Sequence, residues 1–457
     1  MPQLLATIVG ILGLFYLDRD REPRMSHALW IPAAWLFSIS SRPISSWLGM
    51  TPQLNSPTDY LDGSPIDRAV LTALLIAALL VVVSRMSKAT PLLKKNAPIL
   101  VFFLYCGISI LWSDFAFVAF KRWTKSVGDL LMALIILTEP DPIEALKKLV
   151  TRLGFVLFPL SILLSKYYPT LGRRLTNSWT METVGLSTQK NQLGVTCMIY
   201  GLVFLWIFCA VYRDREDPIR NRSLLAYGTI LAMIVWLLHA CNSLTSIAGL
   251  AMAGGVMWLA SRPRRTAVVH LLVLAVLGIS LTALFFDPGG SLVGALGRDG
   301  TFSGRTEIWK LVLSIPTNPW VGTGFESFWL GNRAQALWDA LPNFPINEAH
   351  NGYVEVYLNL GWAGISLLGL VLLTGYTRVV AALREDPARG SLLLGLFLAT
   401  LFESLTEAAF RMMSPAWFFL LLVIIASSEV TSAELRVNTE SELAASDAPV
   451  WAFDRGT

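Results

Sequence analysis

The chain has 457 residues, of which 54% are hydrophobic and only 15% are charged, with a formal net charge of +4. A soluble domain usually carries about 25% charged residues, and one water-soluble core stops growing near 250–300 residues. These values exclude a cytosolic enzyme, a secreted disulfide scaffold, a coiled coil and a disordered regulator, and the small net charge predicts no nucleic-acid partner.

Apolar runs of about 17–25 residues, the length that crosses a bilayer as a helix, recur along the chain. They predict about eleven to thirteen spans. Continuous apolar runs lack the alternation of a membrane barrel, so the predicted fold class is an all-α, polytopic membrane bundle. In chain order the runs lie near residues 3–17, 26–40, 69–84, 98–113, 124–138, 151–167, 192–212, 224–241, 244–260, 267–286, 353–375, 390–408 and 413–428.

Alternate loops differ in their content of Lys and Arg. One set holds 20 basic residues in 66 positions, and the opposite set holds 13 in 138. Because basic loops stay in the cytoplasm, the sparser set is predicted to be external. It includes the connection 287–352, and a loop that long is usually functional. We therefore predict one membrane domain, residues 1–428, with its function in this loop, and a polar, disordered tail at 429–457.

The long loop contains one predicted helix. Residues 304–312 begin Gly-Arg-Thr-Glu-Ile-Trp and place apolar residues at helical spacing, which predicts a short amphipathic helix on the membrane surface. Arg305 would lie in its first turn, where backbone N–H groups also attract anions. The Gly-Thr-Gly at 322–324 follows no strand, so we interpret it as a glycine turn and not as a nucleotide loop.

The loop ends at Glu348, Ala349, His350 and Asn351, directly before a predicted span. A neutral imidazole at the membrane surface can accept a proton near neutral pH. His350 is therefore the histidine with the strongest case for a functional role. The other three histidines lie at the ends of spans, where packing or hydrogen bonding is the simpler interpretation.

Here the sequence resembles a known family. His350-Asn351, nine residues and then Gly361 resemble the H-[NSQ]-x9-G-x-x-[GTY] signature of the O-antigen ligase / Wzy-type polymerase family. Residues 304–309 look like that family's arginine-bearing helix, and residues 187–194 are similar to its KN-x-LG element. Lys121-Arg122 matches a basic pair of the family. Within the family, the segments Gly-Arg-Thr-Glu-Ile-Trp (304–309) and Gly-Phe-Glu-Ser-Phe-Trp (324–329) are most similar to the ExoQ-like branch for exopolysaccharide production.

The resemblance implies a GT-C-like bundle that acts in the bacterial inner membrane with its site facing the periplasm. The donor would be a glycan joined through pyrophosphate to undecaprenol, and the enzyme would polymerise repeat units of exopolysaccharide or O-antigen on a glycan acceptor. Export and chain-length proteins are candidate partners. Two alternatives stay open: a ligase that moves finished glycan to lipid A core or another acceptor, and a transporter of lipid-linked sugars.

The chemistry of that donor assigns roles to the residues. The leaving pyrophosphate is anionic, so the site needs guanidinium or ammonium groups. The acceptor hydroxyl must lose a proton, and its attack opposite the pyrophosphate predicts inversion. The predicted catalytic residues are Arg305 and His350, and the predicted substrate-binding or orienting residues are Arg122, Arg173, Arg174, Lys190, Glu348 and Asn351.

A metal-dependent transferase would hold a divalent ion with an external pair of acidic side chains. The Asp-x-Asp in the chain, Asp18-Arg19-Asp20, lies in a loop that the basic residues place inside. We therefore predict a metal-independent enzyme that has no cofactor.

Overall fold

A computed structural model describes residues 2–19, 26–50, 63–175, 180–262, 266–285, 305–341 and 346–429. These residues are almost entirely helical, and an antiparallel hairpin of β1 (Arg173–Leu175) and β2 (Met181–Thr183) is the exception. The predicted all-α class is confirmed. The predicted tail lies outside the described residues except for residue 429, as do residues 287–304 and 342–345 of the long loop.

The helices are numbered here in chain order. They are α1 (Pro2–Leu17), α2 (Trp30–Ser40), α3 (Ile44–Trp47), α4 (Pro65–Ser84), α5 (Met86–Lys95), α6 (Ala97–Ile108), α7 (Ala116–Leu137), α8 (Pro142–Tyr167), α9 (Pro169–Gly172), α10 (Lys190–Arg213), α11 (Arg220–Cys241), α12 (Leu244–Ala260), α13 (Thr266–Phe285), α14 (Arg305–Ser314), α15 (Gly331–Ala340), α16 (Gly352–Glu385), α17 (Pro387–Glu403) and α18 (Pro415–Glu429). Two short 3-10 helices, His27–Leu29 and Ser109–Trp112, accompany them.

Five of the described helices are long and apolar enough to cross a membrane: α4, α8, α10, α11 and α16. A sixth span results if α5 and the helical segment Ala97–Trp112, which meet at 88°, are counted together. Three shorter apolar helices are α1, α12 and α18. The polytopic class is therefore confirmed, and the larger number of spans stays a prediction.

The spans differ in how much of their surface the protein covers. In α4 only 17% of the apolar window is buried, and Leu79, Leu80 and Val83 are exposed. In α8 the buried share is 72%, and the ring of Phe158 contacts Tyr200 of α10 edge to face. An apolar helix with exposed apolar side chains is suited to lipid. Helix α4 thus lies at the rim, and α8 and α10 lie in the interior.

Helix α16 is broken near its start. Gly361 has φ 64° and ψ −164°, a left-handed conformation that favours glycine. The break leaves the carbonyls of the preceding turn without helical partners. Those of Leu358 and Asn359 instead accept hydrogen bonds from the N–H groups of Thr323 (3.2 Å) and Gly324 (2.9 Å).

The second half of α16 is completed by the same loop. The N–H of Trp362 donates to the carbonyl of Pro319 (2.9 Å), and the N–H of Ala363 donates to the carbonyl of Trp320 (3.0 Å). A Cβ on Gly361 would lie 2.3 Å from the carbonyl carbon of Trp320, so the two backbones meet where only glycine fits. Residues 319–324, called the splint below, therefore supply backbone hydrogen bonds on both sides of the break. This agrees with the interpretation of residues 322–324 as a glycine turn.

The described part of the long loop has an apolar core of its own. The predicted helix at 304–312 is confirmed as α14, and it packs with α15 and the first half of α16. The buried members of this core are Ile308, Val312, Phe328, Trp329, Leu337, Ile346, Ala349 and Leu358. The loop is thus a folded layer over the start of α16, which is the part of the fold that positions His350.

Candidate active site

Asn351 fixes the start of α16 directly beside His350. Its Oδ1 accepts hydrogen bonds from the N–H groups of Tyr353 and Val354, both at 3.0 Å, and its Nδ2 donates to the Leu405 carbonyl at 3.1 Å. The side chain is buried and serves as the N-cap of the helix. These contacts explain the Asn beside the histidine, while substrate binding by Asn351 stays a prediction.

Backbone strain is concentrated here. His350 has φ 48°, and the positive values at Glu326 (51°) and Met413 (59°) belong to the segments around it. Asn242 is the remaining non-glycine residue of this kind in the described ranges. Such conformations cost about 1–3 kcal/mol each and persist where the surroundings enforce them, often at functional sites.

The imidazole of His350 is anchored through Nδ1. This atom lies 3.1 Å from Oε2 of Glu407, as a hydrogen bond, and 3.3 Å from Oε1 of Glu348. A neutral imidazole that donates Nδ1–H to a carboxylate keeps Nε2 as its proton acceptor. Among the described residues Nε2 has no hydrogen-bond partner, so it is the atom available to a substrate.

The charges around His350 raise its basicity. Burial by itself lowers the pKa of an imidazole, since it disfavours the charged form. Here the hydrogen bond that Glu407 accepts from His350 and the negative charges of Glu348 and Glu407 outweigh both burial and the repulsion from Arg305. The pKa of His350 is therefore raised above its ordinary value of 6.5.

Arg305, the first residue of α14, joins the same carboxylate. Its Nη2 lies 2.5 Å from Oε1 of Glu407, and Nδ2 of Asn191 donates to that oxygen at 2.8 Å. The side chains of Arg305 and Glu407 are only 15% and 11% exposed. The guanidinium uses one of its three nitrogens in the described part of the chain. Its other N–H groups are available to an anionic ligand.

Arg411 uses all of its guanidinium nitrogens in contacts within the protein. Its Nε and Nη2 bind the Glu326 carboxylate at 3.3 and 3.1 Å, and its Nη1 binds Glu348 at 3.4 Å. Burial lowers the pKa of Arg411, but Glu326, Glu355 and Glu348 together raise it above its usual value. All three guanidinium nitrogens are in use, which indicates a structural brace between two segments.

Arg122 reaches the edge of this cluster. Its Nη1 donates to the main-chain carbonyl of Glu326, the residue whose carboxylate binds Arg411. The structure thus brings Arg122, Arg305, Glu348, His350 and Asn351 into one connected region, and their roles toward a substrate stay predictions.

The other three predicted cations lie apart from this cluster. Nζ of Lys190 is 2.5 Å from Glu182 on β2, Nε of Arg173 donates to the Ser165 carbonyl at 3.0 Å, and Arg174 is exposed on β1. Among the described residues no contact joins them to His350. The KN-x-LG element is linked to His350 through Asn191, the neighbour of Lys190, and not through Lys190 itself.

Three side chains have a spacing that a divalent cation can share. The ligand atoms of Glu348, His350 and Glu407 lie within 4.8 Å of one another. However, Glu407 uses Oε1 for Arg305 and Oε2 for His350, and Glu348 uses its two oxygens for His350 and Arg411. Each of these carboxylates already contacts a guanidinium group, Glu407 that of Arg305 and Glu348 that of Arg411. Metal independence stays a prediction.

Glu407 and Glu326 were not identified from the sequence. Glu407 belongs to no motif discussed above, and Glu326 lies in the Gly-Phe-Glu-Ser-Phe-Trp segment, where no role was assigned to it. A signal was present for Glu407, because it lies with Glu403 and Arg411 among the apolar residues of 390–428, and ionisable residues in such surroundings are usually functional.

Part of the chain that carries this site matches a known family. Residues 228–369 match the family model described as O-antigen ligase. Over this part the chain is similar to the O-antigen ligase family. The matched residues include Arg305, Glu348 and His350 and the break in α16, whereas Glu407 and Arg411 lie beyond them.

The chain is also similar to the exopolysaccharide production protein ExoQ of Rhizobium meliloti (strain 1021). The two are 26% identical over 291 residues, which cover 61% of this chain and 64% of the relative. The resemblance to the ExoQ-like branch of the O-antigen ligase family is thereby confirmed. The apolar helices and the family together make this chain a multi-pass membrane protein.

Proposed function

We propose that the protein polymerises repeat units of exopolysaccharide or O-antigen by glycosyl transfer. The donor is a glycan linked through pyrophosphate to undecaprenol, and the site faces the periplasm from the bacterial inner membrane. The observation that carries the proposal is the link through Glu407, which brings the imidazole of His350 and the guanidinium of Arg305 to one carboxylate. A base and an anion-binding group are thereby held side by side.

The acceptor half of the reaction needs a base. In the proposed mechanism the acceptor hydroxyl donates to Nε2 of His350, which takes the proton as the oxygen attacks the anomeric carbon. The resulting imidazolium is stabilised by Glu407 and Glu348, both near Nδ1. The oxygen thus becomes nucleophilic only as the new glycosidic bond forms.

The donor half needs positive charge. The bond between the anomeric carbon and the pyrophosphate oxygen breaks, and its electron pair stays on that oxygen. The N–H groups of Arg305 that have no partner among the described residues can bind this growing negative charge, and Arg122 is the next cation in the same region. Attack from the face opposite the pyrophosphate inverts the anomeric configuration. The two guanidinium groups make a divalent metal unnecessary.

A ligase is the second candidate, and the description of the matching family favours it. Its donor and first steps would be the same. The difference is the acceptor, which would be lipid A core or another molecule in place of the next repeat unit. The motifs that bind the donor are shared, so only the products separate the two reactions.

The test is a deletion strain that carries wild-type protein, His350→Gln or the matched control His239→Gln, an exposed histidine on α11. A polymerase predicts that His350→Gln leaves single repeat units on the lipid carrier, and a ligase predicts long chains left there. The control is expected to restore wild-type glycan. Wild-type polymer from a normally inserted His350→Gln protein would contradict the proposal. Purified protein that moves the glycolipid across vesicles and never lengthens it would indicate a transporter.

A further inference from the structure

Glu407 lies in the turn between α17 and α18, beyond the residues that match the family. Its backbone is held on both sides, because its N–H donates to the Glu403 carbonyl at 2.8 Å and its own carbonyl accepts from Ala409 at 2.9 Å. The side chain is 11% exposed. A charged group this sheltered needs partners, and the identity of those partners indicates its role.

The three partners of Glu407 come from three distant segments. Oε1 binds Arg305 at the start of α14 and Asn191 in the first turn of α10, and Oε2 accepts a hydrogen bond from Nδ1 of His350 before α16. One carboxylate therefore connects the predicted base, the predicted anion-binding group and the KN-x-LG element. Among the described residues it is where these segments meet.

We propose that Glu407 is the positioning residue of this site: it holds the His350 imidazole with Nε2 free and orients Arg305 beside it. The inference rests on the proposed function, because it assigns the proton acceptance to His350. A group that accepts from Nδ1–H fixes both the tautomer and the ring orientation, and the corresponding partners of metal-bound histidines typically contribute about 10–100-fold to metal affinity or activity.

The charge of Glu407 and the length of its side chain contribute separately to the state of His350. A glutamine has the same length and still accepts a hydrogen bond from Nδ1–H, but it carries no negative charge to stabilise the imidazolium. An aspartate keeps the charge but is shorter by one methylene, so its contact with Nδ1 lengthens. The other charged groups that face His350 are Glu348, which is shared with Arg411, and Arg305. They remain in both variants.

The experiment measures the rate of transfer by purified full-length protein against pH, with a synthetic polyprenyl-pyrophosphate repeat unit as donor. The variants are Glu407→Gln, Glu407→Asp and the control Glu144→Gln, whose side chain pairs with Lys147 and Lys148 on α8. For Glu407→Gln we expect a rate lower by about 10–100-fold. We also expect the acid limb of its pH–rate profile, where the rate falls as His350 is protonated, to move to lower pH by about one unit. Glu407→Asp should show a smaller change of both kinds, and the control should match wild type.

A merely structural role would lower the rate of Glu407→Gln at every pH and leave its acid limb in place, and that result overturns the inference. Wild-type rate and limb in Glu407→Gln overturn it as well. If Glu407→Gln is not recovered as folded protein, Glu407→Asp decides, and an unshifted limb contradicts the role. Failure of the proposed function is distinguishable, because His350→Gln would then keep its activity.

Discussion

Replacing Gly361 by alanine should weaken the fold and the activity together. Gly361 is the glycine of the H-N-x9-G motif, and the nine residues before it, 352–360, form the short half of α16, about 14 Å long. His350 stands at one end of this half helix, and the splint 319–324 binds the other. The motif spacing is thus the length of the segment that holds His350 in place.

Three contributions determine how much stability the Gly361→Ala protein loses. An alanine at φ 64° and ψ −164°, a backbone region occupied almost only by glycine, costs about 1–3 kcal/mol. Its Cβ would lie 2.3 Å from the Trp320 carbonyl carbon, so the backbones must separate and the hydrogen bonds from Trp362 and Ala363 weaken. Each of these bonds contributes about 1 kcal/mol. The sum is about 3–5 kcal/mol, and a shift of His350 by 1 Å would add about a 100-fold loss of rate.

The assay is thermal unfolding of the purified protein together with polymer length in cells. The matched control is Gly369→Ala in the same helix, where an added Cβ has no neighbour within 4 Å and a helical alanine gains about 0.5–1 kcal/mol. Gly361→Ala should lower Tm by on the order of 5–10 °C, and Gly369→Ala should keep or raise it. Equal Tm and equal polymer in the two variants would refute this account of the break.

Three further predictions concern charge. Arg305→Ala should lower the transfer rate by about 10–150-fold, which corresponds to the loss of one hydrogen bond to a charged group. Arg305→Lys should have an intermediate rate, because lysine keeps the charge without the planar guanidinium fork. Equal rates for wild type and both variants would contradict this. The wild-type transfer rate should be maximal above the raised pKa of His350 and should fall as the pH drops through that pKa, because only the neutral imidazole accepts a proton. A fall of the rate that begins only below pH 6.5 would contradict the role of His350 as the base. A chelator should leave the rate unchanged, and a loss restored by magnesium or manganese would show that a metal takes part.

The local elements of the site were predictable from the sequence. Apolar spacing after Arg305 predicts α14, and the run after Asn351 predicts α16, because each signal depends on neighbouring residues. The charge count separated a sparse set of cations from the basic loops. This set contained Arg305, Arg122 and also Arg411.

The connections between those elements were not predictable. Glu407 lies 57 residues after His350 and 102 after Arg305, and no periodicity relates such positions. Residue type alone also could not separate Arg305, which keeps unpaired donors among the described residues, from Arg411, whose three guanidinium nitrogens are all in use. That difference depends on where Glu326 and Glu348 lie, and tertiary packing decides it. The same packing brings Asn191 to the cluster in place of Lys190.

The break in α16 also constrains how the protein is assembled. The carbonyls of Leu358 and Asn359 and the N–H groups of Trp362 and Ala363 have their partners in residues 319–324. Without that segment these four groups would lose the partners described here, and each would cost several kcal/mol if it entered lipid unpaired. Residues 319–324 precede α16 in the chain, so they are synthesised before it. A permuted chain in which they followed α16 would have to insert an unsatisfied helix, and the natural order of the two segments avoids this.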